Sequence, residues 1–152
     1  MGLPRIPSLP ISKKPEKLVV DANPIFSTLL GEKAKRLFFE SGISEFAVTG
    51  SILDEIHTYI PTMAQKLGVR QDFLFYTLDL LPLTVYRSKT YRHSITRAKM
   101  EVAHRDPDDV EILAFAIELG HPLWTNDKDF GETGVQVFTT AELLTMYFPK
   151  PS

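Results

Sequence analysis

Residues 106–130 read DPDDVEILAFAIELGHPLWTNDKDF, a helix followed at once by a short strand. Asp106 serves as an N-cap, Pro107 suits the first helical position, and the acids of this opening complement the helix dipole. The apolar run behind them stops at Gly120, so the spacing predicts a helix over 107–119. Pro122 to Thr125 then reads as a strand, with Asp127 and Asp129 just beyond its end. A helix feeding a short apolar strand is one unit of an alternating α/β chain.

The same alternation runs upstream. Leu18-Val19-Val20-Asp21 is a β-branched run halted by an acid and by Asn23-Pro24, which predicts a first strand ending at Asp21. Two consecutive helices follow, Ile25 to Leu30 and Glu32 to Glu40, each closed by a glycine, Gly31 and Gly42. Glu45 to Thr49 reads as a second strand and Ser51 to Ile60 as a helix that Pro61 breaks or restarts. A helix over 69–80, a third strand at Leu83 to Tyr86 and a basic helix over 91–103 come next. Val135 to Phe138 is the last strand, and Thr139-x-x-Glu142 is a capping box that opens the final helix. Strands this short and apolar, separated by helices, point to a parallel sheet covered on both faces.

The chain has 152 residues, 43% hydrophobic and 24% charged, which is the usage of one globular domain. Pro4, Pro7, Pro10 and Pro15 mark residues 1–16 as a flexible extended tail, leaving 17–152 as a single domain. No run approaches the roughly 18 apolar residues of a membrane span. The absence of cysteine excludes disulfides, a thiol nucleophile and Cys-ligated metals. A net charge of −2 means that any nucleic-acid contact must come from a local patch. The first residues lack the apolar core of a signal peptide and the pattern for myristoylation, so the expected location is the cytoplasm.

In open parallel sheets the ligand crevice lies beyond the carboxyl ends of the strands, where Asp21 and Asp127 both emerge. Helical phase puts Asp109 on the same side as Leu113, Ala116 and Ile117, inside the apolar stripe, and sends Glu111 and Glu118 to the opposite side. Capping explains Asp106 and Asp108 well and Asp109 less well. On the helix over 51–60, Ile52, Ile56, Tyr59 and Ile60 share a face, Glu55 stands at its border and Asp54 points away. Alone, Glu55 is an ordinary stripe-edge glutamate. Converging carboxylates repel and raise one another's pKa unless a cation is present. Oxygen ligands without Cys or paired His select Mg²⁺ or Mn²⁺, and metal-assisted phosphodiester hydrolysis is the natural chemistry of such a site.

Asp21-x-Asn23 after a strand, Glu55 on a helix, Asp109 ahead of Ile112-Leu113-Ala114-Phe115-Ala116, and Thr125-x-Asp127-x-Asp129-Phe130 together resemble the PIN-domain ribonuclease family, and within it the VapC-like toxin branch. The similarity covers residues 17 to about 147. The resemblance implies a three-layer α/β/α sandwich with a mainly parallel central sheet. It implies a catalytic and metal-binding quartet of Asp21, Glu55, Asp109 and Asp127, with Asp129 as an accessory metal ligand and Asn23 and Thr125 supporting the acids by hydrogen bonds. The implied reaction is cleavage of RNA by an activated water. One departure is Ala22, where many members carry Thr. The toxin branch further implies a small antitoxin as partner, and a homodimer.

Between Asp79 and Glu101 the chain has no acid, while Arg87, Lys89, Arg92, His93, Arg97 and Lys99 cluster with Tyr86 and Tyr91. This patch either tracks an RNA backbone, with tyrosines for base stacking, or is a solvated face or one that pairs with an acidic partner. The aromatic segment Phe73 to Leu81 serves core packing or a dimer interface. His104 reads as a capping or surface group. Phosphate-binding glycine loops, the Gly-x-Ser-x-Gly elbow and His-Glu-x-x-His are all missing. The competing readings are a noncatalytic PIN-like module that binds protein or RNA, and a metal-dependent DNA nuclease.

Overall fold

The computed structural model describes residues 13–31, 33–101, 107–127, 130 and 133–151. Five strands form one parallel sheet: β1 (Lys17–Val20), β2 (Glu45–Thr49), β3 (Leu83–Tyr86), β4 (Leu123–Trp124) and β5 (Val137–Phe138). Among the described residues seven α-helices flank it: α1 (Ala22–Leu29), α2 (Ala34–Glu40), α3 (Gly50–Leu67), α4 (Gln71–Leu80), α5 (Ile95–Glu101), α6 (Pro107–Leu119) and α7 (Thr140–Tyr147). Leu18, Val19, Val20, Ala47 and Val48 are fully buried, so the central strands are covered on both faces. Phe38 of α2 packs on Phe46 and Trp124, with ring centroids 4.7 and 5.0 Å apart. Phe46 pairs in register with Leu83, three residues before Tyr86, so the Tyr86 ring stands on the other face, where Phe115 of α6 meets it at 5.2 Å. The architecture is the expected three-layer α/β/α sandwich.

Strand order is β3-β2-β1-β4-β5. The chain lays its first three strands outward in one direction, then crosses to the far side of β1 for β4 and β5. The reversal between β1 and β4 is the switch point at which such sheets open a crevice beyond their carboxyl ends.

Several local expectations need correction. Pro61 does not break the helix: α3 runs through it for 18 residues. Pro61 is exposed, and so is His57, whose carbonyl the missing N–H leaves without its helical partner. The basic helix begins at Ile95 rather than Tyr91, because 88–90 and 92–94 form two 3₁₀ turns. Tyr59, expected on the buried face of α3, is 39% exposed and packs edge-on to Phe26. The first helix opens at Ala22 because Asp21 caps it. The helix over 107–119 matches its expected span, and Gly120 ends it at φ 69°, where a side chain would be strained. Both hydrogen bonds of the Thr139–Glu142 capping box form.

Within the expected tail, residues 13–16 pack on the domain. Pro15 is buried and its carbonyl accepts from the Tyr147 hydroxyl, while Ser44 N–H donates to the Glu16 carbonyl at 2.9 Å. Residues 1–12, His104 and Asp106 lie outside the described residues. Among the described residues no helix is long and apolar enough to cross a membrane.

Candidate functional site

Asp21 ends β1 and caps α1, its Oδ1 accepting from Ala22 N–H at 2.8 Å. The register that pairs Val20 with Trp124 sets the next residue, Thr125, beside it. The buried Thr125 hydroxyl donates to Asp21 Oδ2 at 2.6 Å and accepts from Asp127 N–H at 3.1 Å. Burial pushes the Asp21 carboxyl above the usual carboxylate range; the Thr125 and Ala22 hydrogen bonds offset part of this, and the charge of Asp127 adds to it. A half-buried acid pressed by a second acid is costly to the fold and marks a site built for something other than stability.

Asn23, on the first turn of α1, accepts from Asn126 N–H at 3.2 Å, and Asn126 Oδ1 accepts from Thr140 N–H at 2.9 Å. This relay ties α1, the loop after β4 and the start of α7 together. It holds the loop that carries Asp127. Thr125 thus touches both Asp21 and the Asp127 backbone, and Asn23 the neighbouring Asn126.

A cleft of about 720 Å³ opens beyond the strand ends, and Asp21, Glu55 and Asp109 all line it. Glu55 is exposed on α3, and Asp109 is half-buried in the first turn of α6. Asp127 is half-buried and reaches the centre through Asp21. Asp129 lies outside the described residues. Two further acids line the cleft that helical phase had turned away: Asp54 and Glu111. Asp54 reaches it because the cleft runs along the exposed flank of α3, beside the core stripe of Ile52, Ile56, Ile60, Met63 and Ala64.

Glu111 was missed for a different reason. Ile112, Leu113, Ala114, Phe115 and Ala116 are all buried, so the middle of α6 is covered on every side and a single apolar stripe does not describe it. Glu111 and Glu118 do share a face, but Glu111 is half-buried on it while Glu118, near the helix end, is exposed. Glu111 Oε2 accepts from Tyr91 at 2.5 Å and from Ser51 at 3.0 Å, and Glu118 Oε1 accepts from Ser94 at 2.7 Å. No signal in the sequence reveals that cover.

Arg87, Lys89, Arg92 and Arg97 are all exposed. Their neighbouring tyrosines are not open for base stacking. Tyr91 is 2% exposed with its ring on Phe115, and Tyr86 is half-buried with its hydroxyl donating to Glu45 at 2.5 Å. On α4, Leu74 and Leu78 face the core whereas Phe73, Tyr76 and Leu80 are exposed, so the aromatic segment both packs and presents an apolar surface.

The donor set of the cleft is oxygen only, which suits a hard divalent cation. Among the described residues no three acidic or histidine side chains stand within reach of one ion. An ion of the Mg²⁺ type keeps most of its water shell and needs only one or two carboxylates, and the crowded Asp21–Asp127 pair fits that requirement.

Solved structures with the same fold include VapBC2 from Rickettsia felis bound to a DNA fragment from its promoter, at TM-score 0.65 and 14% identity over 81% of this chain and 98% of that one. A toxin–antitoxin complex from Klebsiella pneumoniae matches at TM-score 0.60 and 20% identity over 81% and 97%. PAE2754 from Pyrobaculum aerophilum matches at TM-score 0.64 and 15% identity over 88% and 90%. No curated protein has a significantly similar sequence. At these identities the structural likenesses speak for the fold. In sequence, the PIN-domain pattern matches residues 19–147, a span that holds every acid of the cleft and the whole sheet beyond the first two residues of β1. That match spans most of the chain, and the chain belongs to the PIN-domain family.

Proposed function

We propose that this protein is a metal-dependent endoribonuclease that cleaves RNA phosphodiester bonds, and that it acts in the cytoplasm as the toxin of a toxin–antitoxin pair. The observation that carries the reading is the Asp21 centre: a carboxylate held half-buried against Asp127, raised by burial, at the edge of a cleft lined by more acids. PIN domains are in general nucleases that use divalent metal ions. Asp21 and Asp127 would hold Mg²⁺ or Mn²⁺, which Glu55, Asp109 and the accessory Asp129 would meet through its water shell. When bound, such an ion supplies counter-charge for a phosphate and an activated water.

The remaining work falls to the chain. Thr125 and Ala22 orient the Asp21 carboxylate, Asn23 anchors the loop that carries Asp127, and Arg87, Lys89, Arg92 and Arg97 receive the RNA backbone. The toxin role is supported by the likeness to the Klebsiella pneumoniae structure described as a toxin–antitoxin complex, and a small antitoxin is the partner it calls for. Phe73, Tyr76 and Leu80 on α4 form the contact of a homodimer.

The test is cleavage of labelled single-stranded RNA and DNA with Mg²⁺, Mn²⁺ or EDTA, in wild type, Asp21→Asn and Asp109→Asn. Metal-dependent cutting of RNA that both variants lose supports the reading. Cutting of DNA alone makes the protein a DNA nuclease, and no cutting of either by folded protein favours a noncatalytic module.

A further inference from the structure

Glu111 sits where three parts of the chain meet. Ser51 opens α3, Tyr91 lies between the two 3₁₀ turns after β3, and both hydroxyls donate to the same oxygen, Glu111 Oε2. Two helical turns further along α6, Glu118 accepts from Ser94. Positions seven apart share a helix face about 10.5 Å apart along the axis. The segment 87–94 is therefore pinned along α6 at two points, one of them on the cleft. Tyr91 and Ser94 are buried, while Arg87, Lys89, Arg92 and His93 are exposed. Burial and the Glu111 carboxylate push the Tyr91 phenol far above its ordinary value, so it stays a hydrogen-bond donor at any physiological pH.

Arg87, Lys89 and Arg92 stand close together along the chain, repel one another and are exposed, so they have little packing of their own to hold them. The Tyr91 ring on Phe115 and its hydroxyl on Glu111 supply what is missing. Glu111 and Ser51 also line the cleft with Asp21 and Asp109, so the contact that holds the basic segment is itself part of the cleft wall. We propose that Glu111 is a positioning residue: through Tyr91 it latches segment 87–94 beside the acids, so that the exposed cations bind the backbone of a single-stranded RNA whose scissile phosphate lies in the cleft. This deepens the nuclease reading and rests on it.

The experiment uses the full chain as wild type, Tyr91→Phe, Glu111→Leu and Glu111→Gln, the last keeping an acceptor for both hydroxyls. Amide hydrogen exchange over 87–94 and steady-state cleavage of a labelled single-stranded RNA at several salt concentrations are measured on each. Tyr91→Phe and Glu111→Leu are expected to exchange faster over 87–94. Their KM should rise about tenfold, with a salt slope smaller by about one, as expected for a lost phosphate contact. The loss falls on KM rather than kcat, and Glu111→Gln restores both exchange and KM toward wild type. Unchanged exchange in every variant overturns the latch whatever the substrate. A fall in kcat with KM unchanged overturns it too, because Glu111 then acts on the chemistry. Wild-type protein that neither binds nor cuts RNA defeats the nuclease reading and the substrate role with it, while the exchange data still report on the latch.

Discussion

Replacing Thr125 by Val removes one oxygen and almost no volume, yet that oxygen serves both acids at the centre of the site. Its hydroxyl donates to Asp21 Oδ2 at 2.6 Å and accepts from Asp127 N–H at 3.1 Å. A hydrogen bond to a charged group is worth about 1.5–3 kcal/mol, and a backbone N–H left unpaired in a partly buried place costs about 1 kcal/mol more. Thr125→Val should therefore destabilise the metal-free protein by about 3 kcal/mol at neutral pH, a drop in Tm of about 6–12 °C for a chain of 152 residues.

The loss carries a pH signature. The Asp21 carboxyl is raised above its ordinary 3.8, so its ionised form weighs against the fold above the folded pKa, and that penalty is relieved as pH falls through it. The Thr125 hydroxyl lowers this pKa, so the variant's carboxyl is raised further. Once both proteins are protonated at Asp21, the charge-assisted part of the loss disappears. Thermal melts in EDTA between about pH 4 and pH 8 should show the gap between wild type and Thr125→Val widening as pH rises, and Thr125→Ser recovering most of it. A gap that is the same at both ends of that range, or a Ser variant as unstable as Val, would refute the reasoning.

Asp21→Asn relieves the half-buried charge, so the variant should melt above wild type in EDTA while losing cleavage at least 100-fold; a lower Tm would contradict the account of Asp21. Saturating Mg²⁺ or Mn²⁺, at roughly 100 times its Kd, should stabilise wild type by about 2.7 kcal/mol and leave Asp21→Asn close to its metal-free Tm, as read by denaturant melts. Charge reversal at Arg92 and Arg97 should weaken binding of single-stranded RNA and flatten its salt dependence in fluorescence anisotropy; unchanged binding removes the patch from the substrate path. Glu in place of Phe73 and Tyr76 should shift sedimentation to a monomer without lowering Tm, since both side chains are more than half exposed.

Much of this molecule is legible one segment at a time. Glu45–Thr49, Leu83–Tyr86 and Pro107–Leu119 have the spans their sequence predicts, because β-branched runs, caps and glycine stops act within a few residues. Asp21 and Asp109, which line the cleft, are legible as candidates on the same local grounds, as an acid ending a strand and an acid out of phase with capping. Where the environment overrides the segment, the reading fails. Pro61 stays in α3, where it and His57, the residue whose carbonyl it leaves without a helical partner, are both exposed, and Tyr91 is a buried anchor rather than an open stacking platform because Phe115 and Glu111 receive it.

By itself the sequence determined which segments are strands and helices, and which of them end in acids, since hydrogen-bonding caps and side-chain periodicity are local properties. Only the tertiary structure decided that β4 lies next to β1. That register brings Thr125 to Asp21 across 104 residues and makes a pair of strand ends into one site. It also decided what covers the far face of α6, turning Glu111 from a solvent-facing glutamate into the link between the acids and the basic segment. Where a helix is buried all round, as α6 is over 112–116, there is no solvent face for periodicity to reveal, and what lies against it depends on chain distant in sequence.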